Sequence, residues 1–109
     1  MTNEEFLRRV QTYFKESIRV LEEKSKEYTV DGDRLASFEE AAYLSNINAV
    51  EALIGMATKH YVSIADMAKN PTKHSLAKWR EKITDLRNYT FLLEALVEET
   101  IGSITDGLG

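Results

Sequence analysis

The stretch NEEFLRRVQTYFKESIRVLEEKSKE, residues 3–27, decides the fold class. Its apolar side chains Phe6, Leu7, Val10, Phe14, Ile18 and Leu21 recur every three or four residues, the spacing that lines up one stripe along a helix. The rest of the segment carries six bases (Arg8, Arg9, Lys15, Arg19, Lys24, Lys26) and six acids (Glu4, Glu5, Glu16, Glu22, Glu23, Glu27). So balanced a helix is a solvated amphipathic element, and it argues against a basic recognition helix that reads DNA.

Downstream the pattern breaks at Tyr28-Thr29-Val30-Asp31-Gly32-Asp33-Arg34, where Asp-Gly signals a turn because glycine accepts positive φ without steric cost. Ser37-Phe38-Glu39-Glu40 has the form of a capping box, which predicts a short helix from Ser37 to about Leu44, ended by Asn46-Ile47-Asn48. Asn48 is placed to cap a third helix through Val50, Leu53, Ile54, Ala57, Tyr61, Ile64 and Ala68, stopped by Asn70-Pro71. Trp79, Ile83, Leu86, Thr90, Leu93 and Val97 mark a fourth from about Ser75 to Ile101. The expected fold is all-α: a compact bundle of two long helices, one medium and one short, in a single domain over residues 1–101. Residues 102–109 hold three glycines and no long apolar stripe, which predicts a flexible tail.

Composition agrees with one small domain. The chain has 109 residues, 43% hydrophobic and 29% charged, too few for two independent cores. It has no cysteine, which excludes disulfides, thiolate metal sites and a cysteine nucleophile, and it offers no apolar run near the ~20 residues that span a bilayer. The expectation is a cytoplasmic protein with no membrane partner. Net charge is −4, against counterion-release binding to duplex nucleic acid, but the charge is uneven: residues 28–58 carry five acids against one base, and residues 72–90 five bases against two acids.

Chemistry concentrates after the first helix. Lys24, Lys26, Tyr28, Asp31, Asp33 and Arg34, followed by Phe38, supply ammonium or guanidinium for phosphate, rings for a base and carboxylates for a metal or sugar hydroxyls. A plain surface turn has the same composition. The Asp-Gly-Asp run lacks the glycine and glutamate spacing of a calcium loop. On the third helix Lys59 stands beside the apolar stripe, where snorkelling to solvent is its usual fate, and His60 reads as a hydrogen-bonded core residue. On the fourth, Glu81, Asp85 and Asn88 form one polar ridge able to hold magnesium with waters and substrate phosphates, or simply to pair with Lys78, Lys82 and Arg87. No nucleophile elbow and no glycine-rich phosphate loop is present.

The segments Lys24-Ser-Lys-Glu-Tyr28, Leu35-Ala-Ser-Phe38-Glu-Glu-Ala-Ala42, Asn48 to His60 and Lys82-Ile-Thr-Asp85-Leu-Arg-Asn-Tyr89 together resemble a family of small phage and prophage proteins, itself similar to nucleotide-modification-associated and MazG-like all-α proteins. The resemblance covers about residues 20–97. It implies that Lys24, Tyr28, Phe38, Lys59, Asp85 and Tyr89 line one pocket between helices. MazG-type pyrophosphatases hold magnesium with E-x-x-E and E-x-x-D pairs; this chain has neither, and Glu81 and Asp85 are four apart.

The leading expectation is therefore a phage-type, homo-oligomeric, nucleotide-binding protein of the bacterial host cytosol, which sequesters a nucleotide or nucleotide-derived defence signal without turnover and needs no cofactor. Lys24 and Lys59 would take phosphate, Tyr28, Phe38 or Tyr89 the base, and Asp33 or Asp85 sugar or base donors. One alternative is a magnesium-dependent nucleoside triphosphate pyrophosphatase with Glu40, Glu81 and Asp85 as ligands. Another is a structural or protein-interaction module.

Overall fold

Thr2 starts the first helix: its hydroxyl accepts from Glu5 N at 3.1 Å while the Glu5 carboxylate accepts from Thr2 N, a reciprocal pair that satisfies two otherwise orphaned donors. The computed structural model describes residues 1–29 and 32–105, except the side chains of residues 28 and 103–105. Helix α1 spans Asn3–Tyr28, α2 Ala36–Ser45, α3 Ala49–Met67 and α4 Leu76–Thr105, with a 3₁₀ turn over Pro71–Lys73 before α4. The fold is all-α, with the expected two long helices, one medium and one short.

Helix ends explain where the expected boundaries hold and where they move. Asn48 caps α3 as its sequence predicts, with Oδ1 accepting from Glu51 N at 2.9 Å. Ser75 does the same for α4, accepting from Lys78 N at 3.1 Å. Ser37 does not cap α2. The helix begins at Ala36 after Leu35, which has no side-chain cap, because Asp33 Oδ1 accepts from Leu35 N at 2.9 Å and turns the chain into helix two residues early. Ser37 is then inside the first turn. Asn46 ends α2 in the left-handed region at φ 55°, where an asparagine is tolerated, and Ile47 N donates to Ala42 O. Gly102 does not end α4, which continues to Thr105; of the expected tail, residues 106–109 lie outside the described residues.

Helix α4 is the axis of the molecule. It packs against α3 on one side and α1 on another, while α2 folds back on α3. The dry core lies where α2, α3 and α4 meet: Phe38, Leu53 and Leu96 are buried together, with Leu35, Val50, Met56, Leu92 and Leu93 against them. Helix α1 is antiparallel to α4, since Lys24 meets Asp85, Ser17 meets Asn88 and Phe14 meets Phe91. The result is elongated, 49 × 31 × 24 Å, with a radius of gyration of 16.5 Å. A globular domain of this length is expected near ~13 Å. The helices are those expected, packed as an all-α bundle of elongated outline.

Candidate functional site

Beside the Phe14–Phe91 ring contact, the α1–α4 seam is built from polar side chains. Ser17 is fully buried, its hydroxyl accepting from Arg87 Nε at 2.6 Å and its carbonyl from Asn88 Nδ2 at 3.3 Å. Arg87 also donates to Thr84 Oγ1 and to the Tyr13 carbonyl, both at 3.3 Å, with its guanidinium carbon 5.7 Å from the Tyr13 ring centre. Lys24 Nζ donates to Asp85 Oδ1 at 2.9 Å. Asn88 Oδ1 is buried with no partner among the described residues. Each of these groups has directional demands, so together they fix how α1 lies along α4.

Several expected ligand residues have structural work here. Lys24 and Asp85 do meet, but they bind each other, which neutralises the ammonium proposed for phosphate. Phe38 is 4% exposed at the centre of the core, where it cannot stack on a base unless the core opens. Asp33 holds the start of α2 through Leu35 N. Tyr89 packs against the Phe38 cluster and stands 4.9 Å from the His60 ring, which places His60 at the core edge. Lys59 is exposed on α3. The Tyr28 side chain, like Asp31, lies outside the described residues.

The acidic residues proposed for magnesium do not assemble. Glu40 and Glu81 are exposed, Asp85 pairs with Lys24, and among the described residues no three carboxylates or histidines group as a metal site. Glu81 and Asp85 share α4, but Glu40 is on α2, and these two helices do not bring their carboxylates together.

Two depressions stand out among the described residues. One, about 190 Å³, runs between α3 and α4 and is lined by Leu53, Ile54, Ala57, Thr58, Tyr61, Leu86, Tyr89, Thr90 and Leu93, with no charged group. The other, about 560 Å³, lies along α2 against Ala36, Glu39, Glu40, Tyr43 and Leu44. Neither contains Lys24, Lys59 or Asp85. A phosphate in the first would lose its hydration without gaining a cation.

Outside the depressions, Arg19 bridges Glu16 and Glu23 along the exposed face of α1 at 2.6 and 2.5 Å. The hydrogen bond from Arg19 holds the Glu16 carboxyl below its ordinary range, and Glu16 in turn raises the guanidinium further.

The feature that sequence reading missed is the position of the apolar stripe of α1. Phe6, Leu7, Phe14 and Ile18 are roughly half exposed, while Ser17 is the most buried position of the helix. The available signal was Ser17 itself, a small polar residue interrupting the stripe, matched by Asn88 on α4.

Compared with protein-family models, with curated proteins and with solved structures, the chain matches none of them. Its own geometry defines its class: an open all-α helical protein with a small dry core, a polar seam and large uncovered apolar faces. No helix among the described residues is long and apolar enough to cross a membrane.

Proposed function

We propose that this chain is a protein-interaction module, a helical subunit that finishes burying its apolar surface against another polypeptide. One observation carries the reading: among the described residues six hydrophobic side chains are buried, whereas fifteen large ones are exposed. Isolated exposed apolar residues are ordinary, but rows of them along helix faces mark association surfaces. Small-molecule recognition would instead call for a concave chamber with a few convergent polar groups. The uncharged groove between α3 and α4 favours apolar contact over phosphate.

The test is a thermal-shift panel of ribonucleotides, deoxynucleotides and cyclic nucleotides, each with and without magnesium. No ligand in the panel is expected to raise the melting temperature, and no pyrophosphate is expected to be released. A nucleotide that stabilises the protein, with the shift abolished by Lys59→Ala, would overturn this reading in favour of sequestration. Release of pyrophosphate would overturn it in favour of hydrolysis.

A further inference from the structure

We infer that the exposed stripe of α1 is a self-association surface whose occupant is a second copy of this chain, the two α1 helices meeting antiparallel across a two-fold axis. The inference rests on the interaction-module reading and names its partner. A folded monomer of 12.4 kDa is expected to expose about 6,100 Å². This chain exposes 8170 Å². The excess is on the order of 2,000 Å² per chain, and covering half of it already exceeds the ~800 Å² per partner of a standard stable interface.

The main contact of α1 among the described residues is with α4, and it uses Ser17, Lys24, the Tyr13 carbonyl and one edge of Phe14 against Phe91, which leaves the outer side of Phe14 in the stripe. Leu7, Phe14 and Ile18 stand at i, i+7 and i+11, a single stripe, and are 53%, 46% and 53% exposed. An amphipathic helix is stabilised by burying that stripe, which the protomer leaves half in water.

Charge selects the partner. Helix α1 has as many bases as acids, so a copy approaches it without net repulsion. The other strongly exposed apolar pair, Tyr43 and Leu44, shares its surface with Glu39 and Glu40, so self-docking there would oppose four carboxylates. A two-fold pairing centred on Thr12 sets residue i against residue 24 − i of the copy. Phe6 then meets Ile18 and Val10 meets Phe14 along the apolar stripe, while Glu5, Arg8, Glu16 and Arg19 stay on the outer face of each helix.

Light scattering coupled to size exclusion, at tens of micromolar protein, is expected to give about 25 kDa, twice the 12.4 kDa chain. The double variant Phe14→Glu, Ile18→Glu is expected to keep its helical circular dichroism and fall to the single-chain mass. Tyr43→Glu, Leu44→Glu is expected to keep the double mass. Because the chain has no cysteine, Gln11→Cys provides a lone thiol one residue from the axis, expected to form a disulfide dimer on mild oxidation, whereas exposed Arg80→Cys does not. If the double variant loses helix content, the Gln11→Cys disulfide decides in its place. A wild-type chain at single mass, or an assembly that survives the charged double variant with no Gln11→Cys dimer, would overturn the inference. A monomer with no nucleotide shift overturns this pairing and leaves the interaction-module reading standing; a dimer stabilised by a nucleotide does the reverse.

Discussion

Helix α4 is held on its two sides by opposite means. Toward α2 and α3 it offers Leu96, Leu92 and Leu93 to Phe38 and Leu53, a dry contact that gains from area alone. Toward α1 it offers Asp85, Arg87 and Asn88, whose partners are Lys24, the Ser17 hydroxyl and the Tyr13 and Ser17 carbonyls, with Phe91 set against Phe14 at one end. Apolar contact is non-directional and supplies most of the free energy. Buried polar contact contributes less net energy because each bond replaces one to water, but it penalises every wrong alignment. The α2–α3–α4 corner therefore holds the fold, and the α1 seam sets a register.

The largest effect should come from breaking the dry side. Leu53→Ala, at a fully buried position, is expected to cost about 2–5 kcal/mol in chemical denaturation, with loss of helical signal from the whole chain. On the seam, Ser17→Val removes the acceptor for Arg87 and is expected to cost about 1–3 kcal/mol. Hydrogen exchange should then rise in α1 while α3 stays protected; equal loss in both would erase the contrast between the two sides. The two capping boxes give a matched pair. Asn48→Ala should cost about 1 kcal/mol of global stability, because α3 belongs to the core, whereas Thr2→Ala should only fray the start of α1.

Smallest is the pH response of the α1 surface. Glu16, held low by Arg19, should titrate below its ordinary 4.5 when followed by NMR, and Arg19→Gln should return it toward that value. A depressed carboxylate is stabilising above the unfolded pKa, and that contribution is lost as the pH falls through the folded one. Solvent screening at this half-exposed surface pair makes the change in stability slight, so an acid transition that tracked Glu16 would overturn the ranking.

Periodicity made the helices legible, because a stripe every three or four residues is a local property and needs no knowledge of the partner. The cap at Asn48 was legible for the same reason. Ser37 misled because the Asp33 turn onto Leu35 N starts the helix before it, and only backbone geometry shows where the helix begins. The proposed pocket was illegible for a deeper reason. Lys24, Phe38, Lys59 and Asp85 have suitable chemistry for a nucleotide, but their roles follow from helix packing, which made one a core residue, two an ion pair and one a solvated cation. The stripe on α1 was found correctly, yet the usual inference that it faces the protomer's own core did not hold for this helix.

Trp79, the chain's lone tryptophan, stands near the start of α4, its indole donating to the Pro71 carbonyl at 2.9 Å with His74 edge-on to the ring. Phe91, where α4 touches Phe14, is twelve residues further on, roughly 18 Å at the helical rise. Its emission therefore reports from the α3–α4 junction, while far-ultraviolet dichroism sums over every helix, α1 included. Heated or titrated with urea, the molecule carries one local and one global optical clock. If the two run apart, with dichroism leading, the long first helix melts as a cooperative unit of its own.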